Sequence, residues 1–138
     1  IFMLKKTKIK FCIGRIFSFT DKNQKKPFFI PSIINKLKKN KNKNITFRNL
    51  NHYRDFISMN EISRIIFRLL KIKFNGIINI GRGKGILLKD IAKLLCKKFK
   101  KDCNFIDNKK TTYLIANNLK LKKYANIKKK TNLERLIF

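Results

Sequence analysis

A chain of 138 residues has room for one domain. With 43% hydrophobic residues and 13 phenylalanines it can build a core, which excludes a chain disordered by composition. Its formal charge of +29, from 36 Lys and Arg against 7 Asp and Glu, points by itself to nucleic acid or an anionic membrane surface. Against that, the residues in excess are Lys, Asn, Ile and Phe, all encoded by A/T-rich codons. The lysines run along the whole chain and far outnumber arginine, the side chain preferred for two-pronged phosphate or base contacts. A basic nucleic-acid-binding module is therefore the alternative reading; one continuous Lys/Arg face would favour it, and scattered charge would favour composition bias.

Three cysteines, Cys12, Cys96 and Cys103, form no C-x-x-C pair, and the odd count suggests reduced thiols in a cytoplasmic protein. Cys12 and Cys96 sit in apolar-periodic stretches and are expected in the core. With His52 as the one histidine, a metal site is not expected. No apolar run reaches the ~18 residues of a membrane helix. Lys5, Lys6, Lys8 and Lys10 interrupt the N-terminal apolar residues, so they form no signal peptide.

In chain order, Ile9, Phe11 and Ile13 alternate with Lys10 and Cys12 and predict a strand. Residues 18–28 read as a polar loop. Pro31 suits the first turn of a helix with Ile33, Ile34 and Leu37 on one face, and Lys38 to Asn44 reads as a solvated loop. Ile45 to Phe47 and Phe56 to Ile57 are short strands. Asn60 is the expected N-cap of a helix whose Ile62, Ile65, Ile66, Leu69 and Leu70 form a core-facing stripe. After a strand at Ile77 to Ile80, a second amphipathic helix carries Leu88, Ile91, Ala92, Leu95, Cys96 and Phe99. A strand at Asn104 to Ile106 follows, and Thr131 with Glu134 has the pattern of a capping box.

Gly81, Gly83 and Gly85 stand between the strand ending at Ile80 and the helix carrying Leu88. Glycines there allow positive φ and close approach, and a helix N-terminus offers unpaired N–H groups to an anion. The turn is either a phosphate cradle or a tight packed turn. The dinucleotide fingerprint fails at Ile86, and the Walker pattern fails at Gly85, which favours the packed turn. Asp107, at the end of the next strand, keeps the dinucleotide reading open.

Five segments together resemble one family. Gly14 to Thr20 with Gln24 is similar to "Arg-x-x-Asn-x-x-Gly-Pro-x-Gln", and Phe29 to Ile34 to the Ile-Pro helix start that follows it. Arg54-Asp55-Phe56-Ile57 resembles "Arg-Asp-Phe-Ile", Asn79 to Ala92 resembles "Asn-x-Gly-x-Gly … Glu-Ile-Ala", and Ala116 to Lys120 resembles "Ala-Asp-x-Ser-Lys". In this order they resemble the C-terminal, substrate-binding half of the NAD-dependent epimerase/dehydratase family, extended short-chain dehydrogenases that act on nucleotide sugars. Ser18 stands for the family's Asn, Asn60 for its second Asp, and Leu87 for its helix-capping Ser.

The resemblance implies an α/β fold, the C-terminal portion of an extended Rossmann-type enzyme, with residues 1–138 as one domain lacking the nucleotide-binding half. It implies NAD or NADP as the cofactor of the intact enzyme, no cofactor for this chain alone, and no catalytic residue within it. The family's glycine fingerprint and catalytic Tyr-x-x-x-Lys pair belong to the other half. The Tyr-x-x-x-Lys at Tyr124 lies after their place and is expected by chance in so lysine-rich a chain. A chain opening at Ile1 suits a fragment of an enzyme of polysaccharide biosynthesis, with a separate N-terminal Rossmann half as partner. The resemblance gives Arg54 the diphosphate of a nucleotide sugar, against a plain ion pair with Asp55 or another surface acid. It puts Pro31 and Ser32 at the helix start bordering the nucleotide, and Lys109 and Lys110 where the family often has a second phosphate-binding Arg.

Overall fold

The computed structural model describes residues 9–127 together with Glu134 and Ile137. Its elements in chain order are β1 (Cys12–Ile16), β2 (Ser18–Thr20), α1 (Phe29–Lys39), β3 (Asn44–Arg48), β4 (His52–Arg54), β5 (Phe56–Ser58), α2 (Met59–Lys71), β6 (Gly76–Ile80), β7 (Ile86–Leu87), α3 (Leu88–Lys98), β8 (Asp102–Ile106), β9 (Thr112–Leu114) and α4 (Leu119–Lys122). Short strands alternate with amphipathic helices, and most pairings are parallel, as an α/β chain requires. β1 runs parallel to β6 with Cys12 opposite Gly76 and Ile16 opposite Ile80. β2 pairs with β5, and β3 with β8, also in parallel. β4 sits between β9, parallel, and β7, antiparallel.

Two apolar clusters result. In the first, α1 contributes Ile30, Ile33 and Leu37, β3 contributes Ile45 and Phe47, and α3 contributes Leu88, Ile91, Ala92, Leu95 and Cys96. The second gathers Ile62, Ile65 and Leu69 of α2 with Ile78 and Ile80 of β6 and Leu121 of α4. Successive side chains on a strand point to opposite faces. Hence β5 serves both clusters: Phe56 enters the first and Ile57 the second.

Several expectations are corrected. The first strand lies at Cys12–Ile16, later than the Ile9 to Ile13 alternation suggests. The supposed loop at 18–28 begins with β2, because Ser18 to Thr20 pair with Phe56 to Ser58. α1 continues through Lys38 and Lys39, cations that suit the negative end of a helix. Ser58, not Asn60, caps α2: its hydroxyl accepts the N–H of Glu61 at 3.3 Å. Ile66 and Leu70 leave the stripe and face solvent. Cys12 is exposed rather than core, and Cys96 and Cys103 form a disulfide instead of staying reduced, with their Cα atoms 6.4 Å apart. Leu87, the expected departure from a capping Ser, indeed makes no side-chain cap to α3. Thr131 lies outside the described residues.

Candidate functional site

The residues after Ile80 could cradle an anion, and they do: the anion is the chain's own Asp55. Its carboxylate is fully buried, at 0% exposure. Oδ1 accepts the backbone N–H of Arg82 at 2.9 Å, and Oδ2 accepts those of Gly83 at 2.8 Å and Ala116 at 3.2 Å. A buried carboxylate is tolerated when such donors surround it. The glycines make the approach possible. A Cβ on Gly81 would stand 2.5 Å from Ala116 Cβ and 2.6 Å from Asp55 Oδ2, while Gly83 takes φ +71° against the Asn118 amide. Asn118 closes the turn by donating to the Gly81 carbonyl at 3.1 Å. The turn is therefore a packed turn whose Arg82 and Gly83 N–H groups are spent on Asp55, and it does not fit the pyrophosphate of NAD.

Asp107 is also spent. Its Oδ1 accepts the Leu50 N–H at 2.9 Å and its Oδ2 meets the Lys89 ammonium at 2.8 Å. The hydrogen bond from Lys89, then that from Leu50, holds its carboxyl below its ordinary value. Asp107 ties the end of β8 to the start of α3 and offers no carboxylate to a ribose.

Arg54 points away from Asp55, and no described acid pairs with it, which removes the ion-pair reading. Strand alternation sends neighbouring side chains to opposite sides: Asp55 goes inward, and half-buried Arg54 goes to a cavity of about 280 Å³. Phe17, Phe19, Phe28 and Phe56 give that cavity apolar walls, and Ser18 and Gln24 add polar groups. Arg54 Nη1 donates to the Tyr53 carbonyl at 2.8 Å and to Thr112 Oγ1 at 3.1 Å. Its bonds within the described residues run through Nη1, so Nη2 and Nε remain as a two-pronged donor. Thr112 is itself held: its N–H donates to His52 Nδ1 at 3.2 Å, and its hydroxyl lies 3.0 Å from the same nitrogen. An Nδ1 that accepts the amide carries no proton, so the hydroxyl donates to it and turns its lone pairs toward Arg54.

The other sequence-derived site residues are not gathered here. Pro31 and Ser32 lie in the first turn of α1, where the Ser32 N–H donates to the Phe28 carbonyl at 2.9 Å, but the residues lining the cavity are the preceding Phe28, Phe29 and Ile30. Lys109 and Lys110 are exposed on the loop between β8 and β9 and line no part of it. Thr112 and the His52 contact were missed, because a three-residue strand gives no periodic signal. Tyr124 packs edge-on to Phe74 at 5.1 Å. Among the described residues no group of three His, Cys, Asp or Glu could hold a metal, and no helix is long and apolar enough to cross a membrane. Lys and Arg occur on every helix, the scattered pattern that favours composition bias.

No family model matches the chain. Over 86 residues, 62% of the chain, it is 38% identical to GDP-6-deoxy-D-talose 4-dehydrogenase of Aggregatibacter actinomycetemcomitans, of which that segment is 29%. Among solved structures, UDP-glucuronic acid 4-epimerase from Bacillus cereus matches 96% of the chain with a TM-score of 0.77 at 21% identity. UDP-N-acetylglucosamine 4-epimerase from Methanobrevibacter ruminantium matches 96% with a TM-score of 0.74 at 18% identity. The chain spans 44% and 45% of those two proteins, less than half of each. It is thus similar in sequence to part of a GDP-6-deoxy-D-talose 4-dehydrogenase, and its fold matches the C-terminal half of nucleotide-sugar epimerases.

Proposed function

We propose that the chain is the substrate-gripping half of an NAD(P)-dependent nucleotide-sugar epimerase, dehydratase or reductase, and that alone it performs no chemistry. The observation that carries this reading is Arg54, held through Nη1 by Tyr53 and Thr112 at an aromatic-walled cavity, with Nη2 and Nε not used by any described residue. A planar fork suits a diphosphate, and the phenylalanine walls suit a base or sugar face. Residues 1–138 act as one domain, and Pro31 and Ser32 steady the helix that borders the nucleotide. Lys110 adds a screened positive charge at the approach.

The hydride chemistry comes from a Rossmann half, in the same polypeptide or a separate chain. The edge of β1 left unpaired among the described residues and the exposed apolar face of α2 suit its docking, and proteins of this fold are about twice as long. That the glycine turn is occupied by Asp55 supports the absence of NAD binding by this chain. The site requires no membrane, and the two cytoplasmic ligands, nucleotide sugar and NAD(P), fit a cytoplasmic enzyme.

Calorimetric titration with UDP- and GDP-sugars tests the reading. Arg54→Ala should weaken binding by ~1.5–3 kcal/mol, the usual range for a charge-assisted hydrogen bond. Arg54→Lys should recover only part, because an ammonium cannot make the two-pronged contact. Lys110→Ala should matter less, as salt screens an exposed charge. Equal losses at Arg54 and at arbitrary surface lysines would overturn the assignment, and micromolar NADH binding by the chain alone would overturn its cofactor-free status.

A further inference from the structure

A groove of about 810 Å³ runs between α2 and the end of α4 with the segment that follows it. It shares no lining residue with the cavity at Arg54, so it stands apart from the proposed substrate site. Arg64 and Arg68, one helical turn apart, line it from α2, and Lys122 and Lys123 line it from the other segment. Its volume is in the range of small-molecule sites, ~300–1,000 Å³.

Composition bias explains lysines but not these arginines. The chain has 29 lysines and 7 arginines, and 3 of those 7, Arg64, Arg68 and Arg82, line this one groove. Arg82 is engaged by Glu61, with both side chains nearly buried at 9% and 13% exposure. Arg64 and Arg68 are exposed and have no acid partner among the described residues; Arg68 Nε donates to the Tyr124 carbonyl at 3.4 Å. Like charges at i and i+4 disfavour a helix, and the two lysines across the groove add to the repulsion. The packing of α2 does not need these cations, since Ile62, Ile65 and Leu69 bury its other face.

One further feature narrows the ligand. Tyr124, 37% exposed, lines the groove with its ring braced edge-on by Phe74, which presents an aromatic face at low entropic cost. Glu61 lines it too, but its Oε1 has no accessible surface and its Oε2 is paired with Arg82, so it is not open to a ligand. We propose that the groove binds a nucleoside polyphosphate, its phosphates on Arg64, Arg68, Lys122 and Lys123 and its base against Tyr124. This ligand has anion and aromatic face in one molecule of the right size.

The test titrates the full chain with ADP, inorganic tripolyphosphate and a short DNA duplex at one near-physiological salt concentration. ADP should bind one to one. Arg64→Glu with Arg68→Glu should weaken it by ~tenfold or more, as expected when charge-assisted bonds are lost. Lys38→Glu with Lys39→Glu, the same charge change on α1, should leave it nearly unaltered. Lys122→Ala with Lys123→Ala provides a second variant should circular dichroism show the first to be unfolded. Tyr124→Ala should weaken ADP but not tripolyphosphate, and Arg54→Ala should leave ADP in this groove unaffected, which separates the result from the substrate site. Equal losses in the α1 and α2 charge reversals would overturn the proposal. So would duplex DNA that binds more tightly than ADP and depends on Arg64 and Arg68, because the groove would then belong to a polymer.

Discussion

The two apolar clusters are built from similar residues and finish differently. The first is enclosed: α1 and α3 turn their stripes toward β3 and β8, and their exposed faces are lysine-rich. The second stays open. α2 buries Ile62, Ile65 and Leu69 but presents Ile66, Phe67 and Leu70 at 41%, 71% and 64% exposure. Beneath it β1 has β6 as its one partner among the described residues. An apolar helix face and a bare strand edge in the same place are what remains where a fold has a neighbour to meet. The difference teaches that the first cluster is a finished interior and the second is a seam.

The largest expected effect breaks the joint between the two. Asp55 precedes Phe56 of the first cluster and Ile57 of the second, and its carboxylate holds the turn after β6 and the start of the segment leading to α4. Asp55→Ala leaves three N–H groups without their acceptor, and at ~1–3 kcal/mol for each orphaned group the loss should be ~3 kcal/mol or more. Asp55→Asn keeps the shape but sets an NH2 against at least one N–H, and should still be clearly destabilised. Urea unfolding measures both. A loss below ~1 kcal/mol in Asp55→Ala would mean that water satisfies the turn and the joint is not structural.

How much of this was legible varies with the range of the interaction. Local periodicity identified α2 and α3 and the residues that became their cores, because the 3.6-residue repeat is written in consecutive positions. It could not separate Ile62, Ile65 and Leu69 from Ile66 and Leu70, since a wide stripe looks the same whether one layer or two will cover it. β4, β7 and β9 have three residues or fewer and carry no period of their own. The glycine turn was legible as a turn, but its anion was not: Asp55 is 27 residues from Arg82 in sequence. The pairing of Cys96 with Cys103 likewise depends on the end of α3 meeting β8, which spacing alone does not announce. The resemblance singled out the segment of Arg54, whereas its contact with Thr112, 58 residues away, leaves no trace in the sequence.

A smaller effect sharpens the enclosed side. Asp107 ties β8 to α3 through Lys89 and Leu50, and these bonds depress its pKa. A carboxyl depressed in the folded state contributes stability that is fully present above its unfolded pKa. That contribution is lost as pH falls through the lower, folded value. Acid below the ordinary carboxylate range should therefore loosen the first cluster at Leu50 and α3 before the second. Asp107→Asn should flatten that part of the acid limb while leaving neutral-pH exchange in α2 unchanged. Hydrogen exchange along the chain reads this directly, and simultaneous loss of protection in α2 and α3 would count against independent clusters.

The smallest effect on folding free energy is expected at the seam. Phe67 and Leu70 are mostly exposed, so Phe67→Lys and Leu70→Lys remove little buried area and should change stability by no more than ~0.5 kcal/mol, the usual range for surface positions. Their effect should appear in association instead. An apolar face beside an unpaired strand edge promotes self-association when nothing covers it, and a charge there opposes it. We therefore expect the unaltered chain to melt with concentration-dependent aggregation and the double variant to stay monomeric to higher concentration, as read by light scattering. The same change should abolish binding of an added Rossmann half, while Lys38→Glu on the closed side should not. A double variant destabilised by several kcal/mol would show that the face is already covered within this chain, and the two clusters would then be alike.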